Sequence, residues 1–559
     1  MILGLIPRLS IRRAVATGAL VLTALTACTT SGVLIQGPRL AKAQTLRVQI
    51  DDQPQSLDPG QTQYPFETAV LRLIAEPLLK PSADMRTVGP AAAESYDVAA
   101  NGTQYTFHLR RNAQWRDGQA VKAQDFVYAW RRLIDPRLAA PTGTFFAGSV
   151  LNGDRVSILD PQRDASKIDL GVQTLGLAAV DDYTFGVTLT RPDPAFVWLA
   201  AMPSSAPVRQ DVVTKSGDKW SASPETLVTN GPYMVSEMTT GDHITAVPNP
   251  HFWGSKPVLT SITFEVVHDG ATALTRFASG GLDMMNVQPS QAAEVAGDTR
   301  LSKQLVRVPS LTVYWMAFRV TAPRLANVKV RMALAQAIDR KAFVGVILQG
   351  QGQPAESFIP QGMGGYSPDT GAPQRFDAAQ ARATLAVSGV SAAQLSGLKL
   401  MFDSGSDFGK ATAAFVRDQL KTNLGVSLTL DPVDANTLAS RLASGAFDVA
   451  GPLGWSADYP DPADWFQIFQ TTNSNDFSLY QTPRYDSLVS VARTDLDPGR
   501  RLQEYQQAQK LLVGDAPVAF IAQSVSWYLV QPYVHGVTTT SLDEWPGAVF
   551  PGQISIVDH

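Results

Sequence analysis

Two short segments of the chain resemble each other closely enough to constrain its architecture. Residues 277–283 read FASGGLD and residues 442–448 read LASGAFD, so each predicts a helix end, a glycine cap and the start of a strand. One unit that occurs twice, far apart in the chain, favours two α/β lobes of similar build over a solenoid of many repeats. The alternative is chance similarity, because so few positions are compared.

The length of the chain, 559 residues, favours two or three domains, because one hydrophobic core seldom organises so many residues. Hydrophobic residues make up 45% of the chain and charged residues 17%, as in an ordinary globular protein. The formal net charge is -4, far from the basic balance that nucleic-acid binding requires. We therefore expect no nucleic-acid partner.

Residues 1–43 are interpreted as a signal peptide or lipoprotein leader with its tether, and are left out of the fold prediction. A start with several arginines precedes an apolar run at 14–27, which is too short to span a bilayer comfortably. No other apolar run of the sequence is long enough for a membrane span.

The apolar run ends in LTAC at 25–28, which resembles a bacterial lipobox, where the cysteine is acylated and becomes the mature N-terminus. Cys28 is the only cysteine of the sequence, so the rest of the chain has neither a disulfide nor a thiol nucleophile. Two alternatives stay open. The AKA site at 41–43 would leave Gln44 as the first residue, and the SIRR run at 10–13 weakly resembles a twin-arginine signal.

One stretch in the C-terminal part of the chain, GWSADYPDP at 454–462, is the main candidate for a binding site. Its prolines fix their own φ angles and hold the residues before them in extended geometry. The apolar residues 447–450 predict a buried strand that leads into the stretch and fixes the position of its carboxylate. Free backbone after this strand would suit an extended, positively charged ligand. The alternative is a structural turn in which Asp458 caps a local N–H group.

Hydrophobic periodicity predicts the elements around this stretch. Alternation at 46–50 and at 105–109 predicts two strands, and apolar stripes predict helices over 66–79 and 328–344. A further helix, rich in aromatic residues, is expected to end before Pro136. Aromatic residues at this spacing predict hydrophobic core rather than a ligand site.

The sequence shows no pattern of catalytic or metal-binding residues. Its six histidines are scattered without ligand spacing, and the lone cysteine leaves no set of ligands for zinc. A glycine-rich phosphate loop is absent, and GSDFG at 405–409 is not a nucleophile elbow, because its serine directly follows the first glycine. We therefore expect a protein that is not an enzyme and has neither a metal nor a cofactor.

A set of motifs, in a fixed order, resembles the solute-binding proteins of bacterial ABC importers. The resemblance is to the peptide/nickel class, extracellular solute-binding family 5, and most closely to its oligopeptide-binding members. Each motif is weak alone, but the ordered set is highly specific and runs from about residue 46 to the C-terminus. The motifs are SLDP at 56–59, YTFHLR at 105–110, WRDG at 115–118, DFVYAW at 125–130, NGPY at 230–233, VRMAL at 330–334, IDR at 338–340 and GWSADY at 454–459.

The resemblance implies an α/β, bilobal periplasmic-binding-protein fold, in which two α/β lobes are joined by two hinge strands and carry an additional inserted α+β domain. The hinge strands are expected near 308–313 and 523–526, with the ligand held between the lobes. The implied boundaries are residues 44–75, 202–308 and 525–559 for lobe I, residues 76–201 for the inserted domain and residues 309–524 for lobe II.

The resemblance also implies a site for an oligopeptide with a free N-terminal amine. In the oligopeptide-binding members, the aspartate of the Trp-x-Ala-Asp pattern takes the α-ammonium of the ligand, which makes Asp458 the acceptor in this chain. Backbone on both sides pairs with the peptide like added strands, so the identity of its side chains matters little. The residues implied on the two sides are Gly454, Trp455 and Ser456 from one lobe, and Thr62, Gln63, Tyr64 and Pro65 from the other.

The chain departs from the family pattern in several places. Pro65 cannot donate a hydrogen bond, so the second edge must bond less fully or be shifted. Residues 450–453 lack the basic residue that some members place there for the carboxylate of the peptide, and Arg441 is the nearest cation. Thr142 and Ala435 stand where peptide binders often have aromatic residues. The amine end of the ligand is therefore better defined than the rest.

The implied partners are an oligopeptide ligand and the permease and ATPase complex of an importer at the inner membrane. The protein itself is expected to be a monomer in the periplasm or cell envelope, exported by its signal peptide and lipid-anchored if Cys28 is acylated. Two alternatives stay open. The ligand would be another small solute, such as a dipeptide, a cell-wall peptide or a metal complex, or the cleft would serve a periplasmic chaperone that holds unfolded segments.

Overall fold

The structure, a computed structural model, describes residues 39–559.

The first of the two repeated segments forms the unit that its sequence predicts. The helix Gly270–Ala278 ends before Gly280, whose φ of 76° favours glycine, and the strand Met284–Asn286 follows. Near the end of this helix Arg276 Nη2 donates to Glu265 Oε2 over 2.8 Å.

The second repeated segment forms the same unit. The helix Ala435–Ala443 ends before Gly445, with a φ of 65°, and the strand Val449–Ser456 follows. Arg441 Nη2 donates to Asp431 Oδ2 over 2.8 Å, which matches the arginine–carboxylate contact of the first unit. The shared helix cap, strand entry and ion pair show two equivalent α/β units, as predicted from the repeated segments.

The strands are numbered in chain order. They are β1 Thr45–Ile50, β2 Leu79–Pro81, β3 Val88–Pro90, β4 Ala93–Val98, β5 Gln104–Leu109, β6 Leu177–Asp181, β7 Thr184–Thr188, β8 Tyr233–Thr239, β9 His243–Pro248, β10 Ser261–Val266, β11 Met284–Asn286, β12 Leu305–Phe318, β13 Gly352–Pro354, β14 Lys399–Asp403, β15 Thr429–Val433, β16 Val449–Ser456, β17 Val518–Val530, β18 Val534–His535 and β19 Ser555–Ile556.

The helices are numbered in the same way. They are α1 Pro65–Ile74, α2 Ala123–Ile134, α3 Gly143–Ser149, α4 Gly153–Ser157, α5 Ala165–Gly171, α6 Phe196–Leu199, α7 Gln210–Ser216, α8 Gly270–Ala278, α9 Ala292–Gly297, α10 Leu301–Gln304, α11 Val328–Gln336, α12 Arg340–Val346, α13 Ala378–Ser388, α14 Ala392–Leu395, α15 Asp407–Leu424, α16 Ala435–Ala443, α17 Pro462–Phe466, α18 Pro483–Thr494 and α19 Pro498–Asp515. Short 3₁₀ helices lie at Val172–Thr174, Pro203–Ser205, Gly217–Lys219, Pro289–Gln291, Pro368–Gln374, Gln467–Phe469 and Pro551–Gln553.

Most of these strands join one large mixed sheet. Its order is β15-β14-β16-β12-β17-β11-β1-β10-β9-β8, and β13 also pairs with β17. On one side β1 runs parallel to β10 and β11, and on the other β14 runs parallel to β15 and β16. Each half of the sheet therefore has its own group of parallel strands, and the two long antiparallel strands β12 and β17 lie between these groups.

The strands β12 and β17 are shared by both halves of the sheet. Residues 305–309 of β12 pair with residues 525–529 of β17, and residues 313–317 pair with residues 518–523. The register is interrupted between Pro309 and Val313. This interruption lies where the hinge strands are expected. The hinge itself and the domain boundaries stay predictions.

A second, four-stranded antiparallel sheet forms within the segment predicted to be inserted, in the order β4-β5-β7-β6. The aromatic side chains of α2 pack on this sheet. Trp130 is fully buried and stands edge-on to Phe185, with 5.2 Å between the ring centroids, and Phe126 stacks on the same ring at 5.9 Å. The prediction that these aromatic residues form hydrophobic core is confirmed.

Two predicted helices are longer than those that form. The helix predicted over 66–79 ends at Ile74, and the residue before Pro77 is disfavoured in helical geometry. The helix predicted over 328–344 is interrupted, and its two parts are α11 and α12. The interruption arises because the side chain of Asp339 accepts a backbone N–H from the first turn of α12 and caps that helix.

Cys28 lies outside the described residues, so its lipidation stays a prediction. Within residues 39–559 no helix is both long enough and apolar enough to cross a membrane. The same residues contain no group of three or more His, Cys, Asp or Glu side chains arranged to hold a metal ion.

Candidate binding site

A cleft of about 550 Å³ opens where the two halves of the sheet meet. Its lining includes the end of β1 and the start of α1 from one half, and the end of β16 from the other. β12 lines it at 310–312, where its pairing with β17 is interrupted. Of the residues predicted for the site, those that line the cleft are Thr62, Gln63, Tyr64, Pro65, Ser456 and Asp458.

The remaining two predicted residues, Gly454 and Trp455, lie in β16 and do not line the cleft. They pair with Tyr314 and Val313 of β12. A Cβ atom added to Gly454 would lie 2.8 Å from the ring of Tyr314, so the close approach of the two strands requires glycine here. These two residues therefore set the position of the strand end.

The end of β16 has one unpaired backbone edge. β12 occupies the other edge as far as Ser456. On the open side β14 pairs with β16 only at Val449 and Ala450, and no other described strand pairs there further along. The backbone from about Leu453 to Ser456 can therefore accept an added strand.

Asp458 follows this edge, and as a residue it is exposed and lines the cleft. The walls of the cleft partly desolvate its carboxyl group and raise its pKa to about 6, while a hydrogen bond with Asp464 opposes the rise. The capping role considered for Asp458 belongs to another residue. Asp461 accepts the N–H of Ala463 over 2.8 Å and caps α17.

Asp464 stands behind Asp458 and is fully buried. Its Oδ2 accepts hydrogen bonds from Trp455 Nε1 and from the backbone N–H of Asp458, both over 3.1 Å. Burial and the neighbouring charge of Asp458 raise the pKa of Asp464 well above the usual carboxyl range. Trp455, the tryptophan of the predicted motif, is therefore linked to Asp458 through the buried carboxyl group of Asp464.

The opposite wall, 62–65, forms a helix cap rather than a free strand. The backbone N–H groups of Gln63 and Tyr64 donate to Glu67 Oε2 over 2.7 and 3.0 Å, and the carbonyl of Tyr64 accepts two N–H groups of α1. What this wall offers to the cleft is a ring surface. Tyr64 stacks on Phe66 with 5.3 Å between the ring centroids.

The charged residues that line the cleft are mainly acidic. Arg72 is the one cation among the described lining residues, and it is paired with Glu544 over 2.8 Å. Asp51, Asp458 and Asp543 add carboxyl groups to the lining. Arg441 does not line the cleft and is bound to the carboxylate of β15 described above. The cleft therefore suits a cationic group better than an anionic one.

Sequence reasoning did not find two residues of the site. Asp464 follows Asp458 by six residues, and this spacing has no recognised motif. Glu67 had a usable signal, because it stands three residues after Tyr64, the spacing of a capping box at the start of a helix. Sequence reasoning also missed a contact between distant parts of the chain. The ring of Phe145 stands edge-on to that of Tyr459, with 6.2 Å between the ring centroids.

The chain is similar to known proteins over most of its length. Residues 87–477 match the family model of bacterial extracellular solute-binding proteins, family 5. The periplasmic murein peptide-binding protein MppA of Escherichia coli K12 is 31% identical over 512 residues, which cover 89% of this chain and 91% of MppA. The periplasmic oligopeptide-binding protein OppA of Salmonella typhimurium LT2 is 33% identical over 533 residues, which cover 93% and 94%.

Solved structures show the same fold. The unliganded open form of MppA superposes with a TM-score of 0.81 at 30% identity, over 94% of this chain and 99% of that one. The complex of Haemophilus influenzae OppA with the peptide RPPGFSPFR gives a TM-score of 0.68 at 27% identity, over 93% and 100%. The fold is the bilobal periplasmic-binding-protein fold, and the protein binds a solute and is not an enzyme. The chain belongs to the bacterial extracellular solute-binding proteins of family 5.

Proposed function

We propose that this protein captures oligopeptides with a free N-terminal amine between its two lobes and delivers them to an ABC importer. The observation that carries the proposal is the position of Asp458, exposed in the cleft at the end of a strand whose outer edge is unpaired. A carboxylate there suits an α-ammonium group, and the edge suits the backbone that follows it.

The charge distribution of the cleft supports an amine-bearing ligand. Among the described residues that line it, the one cation, Arg72, is already paired, while several carboxyl groups face the same space. Recognition through backbone groups explains how one site accepts peptides of many sequences, since every peptide offers the same rows of N–H and C=O groups. The ring surface of Tyr64 and Phe66 adds apolar contact without selecting one side chain.

The names of the relatives support a peptide over other solutes. They include murein peptide-binding, oligopeptide-binding and dipeptide-binding proteins. One relative of 29% identity is named as a probable deoxycholate-binding protein, a ligand of another kind. We propose the oligopeptide because the free edge of β16 extends over several residues before Asp458.

The proposed location is the periplasm, where the protein would work as a monomer with an inner-membrane permease and ATPase. Periplasmic relatives and the sequence of residues 1–43 support this. We also propose that Cys28 is acylated and tethers the protein to the membrane. Incorporation of an alkyne fatty acid into the wild type, and its loss in Cys28→Ala, tests the tether. A mature N-terminus at Gln44 without label contradicts it.

Two measurements test the proposed function. Native mass spectrometry of protein purified without refolding is expected to show a discrete set of bound peptides. Calorimetric titration with alanine peptides of two to five residues is expected to show binding that N-acetylation of the same peptides weakens. A broad range of bound protein segments favours a chaperone instead. The absence of any bound peptide, together with no calorimetric binding, contradicts the proposal.

A further inference from the structure

Asp464 is a buried acid whose bonding is incomplete. One of its oxygens, Oδ2, accepts two N–H groups, from Trp455 and from the backbone of Asp458. The other oxygen, Oδ1, is buried, and no N–H or O–H group of the described residues donates to it. A buried carboxylate oxygen without a donor is costly, whereas a protonated carboxyl group at the same place can itself donate.

The acidic groups around Asp464 disfavour a second negative charge. Asp458 faces it from the cleft side and Asp461 from its own turn, and both raise its pKa. The phenol of Tyr459 lies nearby, and its own pKa is raised by Asp464. None of these groups offers Asp464 a positive partner.

Two arginines lie near this turn, and neither forms an ion pair with Asp464. Arg501 of α19 is paired with Asp461 and donates to its Oδ2 over 2.9 Å. Arg493 of α18 lowers the pKa of Tyr459, whereas Asp193, from the segment predicted to be inserted, raises it. No lysine or arginine of the described chain forms an ion pair with Asp464. The surroundings therefore hold this carboxyl group neutral.

We propose that Asp464 is a positioning residue that stays protonated beside Asp458, so that the pair presents one negative charge to the ammonium of the ligand. Through Oδ2 the neutral acid holds the indole of Trp455 and the backbone of Asp458. Through the proton on Oδ1 it donates towards the carboxylate of Asp458 and orients it into the cleft. This assignment rests on the proposed function, because it names how that site holds its charged group.

A single titrating charge sets the pH dependence of binding. Asp458 must be ionised to hold an ammonium group, and its pKa lies near 6 in the free protein. Affinity for a free-amine peptide is therefore expected to fall about tenfold between pH 7 and pH 5, with close to one proton released per peptide at pH 5. At pH 7.5 no proton is expected to be released, because Asp464 keeps its own on binding.

Two substitutions separate a neutral acid from an ionised one. Asn in Asp464→Asn keeps the acceptor oxygen and replaces the acid proton by an amide N–H, so affinity at pH 7.5 is expected to stay within about threefold of wild type. Leu in Asp464→Leu keeps the size and removes both roles, so affinity is expected to fall at least about tenfold. The probe is the alanine peptide that binds wild type most tightly. A loss in Asp464→Asn as large as that in Asp458→Asn, or no loss in Asp464→Leu, overturns the assignment.

A measurement without ligand separates this assignment from the proposed function. An acid whose folded-state pKa is raised holds its proton better in the folded protein, so it contributes less stability as the pH rises above the ordinary carboxyl value. Urea denaturation is expected to show Asp464→Asn gaining stability over wild type between pH 4.5 and pH 8. A difference between the two proteins that does not change with pH shows an ionised Asp464 and overturns the assignment. Failure of every peptide to bind, with this gain present, contradicts only the proposed function.

Discussion

Asp58 accepts hydrogen bonds from both terminal nitrogens of Arg132, over 3.2 and 2.7 Å, and this ion pair joins the SLDP turn to helix α2. The side chain of Asp58 is 2% exposed and that of Arg132 is 17% exposed. Trp220 Nε1 also donates to Asp58, over 3.0 Å. One of the motifs that carry the family resemblance is therefore a buried junction between distant parts of the chain, and it does not line the cleft.

Substitution of Asp58 by Asn is expected to destabilise the protein by about 3 kcal/mol, because it leaves the charge of Arg132 buried without its partner. Urea denaturation of the two proteins measures this loss. The matched control is Asp407→Asn, which breaks the exposed pair of Asp407 with Lys410 and is expected to cost no more than about 0.5 kcal/mol. Equal small losses in both variants would show that the Asp58 pair contributes little.

Removal of the charge of Asp458 is expected to weaken free-amine peptides selectively. Asp458→Asn keeps the shape and one acceptor oxygen, so affinity should fall by about 2–3 kcal/mol, or roughly 30- to 150-fold. N-acetylated peptides lack the cation, so they should bind wild type poorly and lose little more in the variant. Calorimetric titration of both proteins with both peptides isolates the charge contribution.

The control for this cycle is the stability of the protein without ligand. A residue that only caps a turn would lower the thermal stability of Asp458→Asn and weaken both kinds of peptide equally. Asp461 is the residue that caps the following helix, so the unliganded variant is expected to melt close to wild type. Equal losses for free and acetylated peptides would leave Asp458 without a role in binding the ammonium.

The free edge of β16 makes a prediction about the backbone of the ligand. N-methylation of one peptide N–H that faces this edge removes a hydrogen bond and should weaken binding by about 0.5–1.5 kcal/mol, roughly two- to tenfold. Because the N–H groups of a strand alternate in direction, methylation should matter at every second position. Calorimetric titration of a methylation series measures the pattern. Equal tolerance at all positions would exclude strand addition.

Sequence reasoning predicted part of the local structure before Asp458, because short-range chemistry determines it. The apolar residues at 447–450 and the glycine cap before them predicted the strand that became β16, and proline geometry predicted the extended turn. The same reasoning predicted one long helix over 328–344, because the apolar Ile338 continues the helical period through the break. In the structure Ile338 is indeed buried, at 1% exposure. The side-chain cap from Asp339 interrupts the helix, and periodicity does not reveal it.

The contacts missing from the sequence prediction are those that depend on packing. In the sequence Asp464 looks like an ordinary acidic residue in the first turn of a helix, where an ionised carboxylate is usually favourable. Its burial, and its bond to Trp455, follow only from how α17 packs against β16. In the same way, Phe145 and Tyr459 are far apart in the chain, and only the tertiary fold brings their rings together.

Ligand binding is expected to close the cleft. The structure is more similar to an unliganded open form, with a TM-score of 0.81, than to a peptide complex of a relative, with a TM-score of 0.68. The break in pairing between Pro309 and Val313 gives β12 a place to bend, and a ligand that contacts both walls favours the closed state by its differential affinity. Small-angle scattering at saturating peptide should show a smaller radius of gyration than without ligand. The matched control is Asp458→Asn at a peptide concentration of about ten times the wild-type Kd, where wild type is nearly filled and the variant is mostly empty, so its radius should stay close to the unliganded value. An unchanged radius in wild type at this concentration would contradict closure.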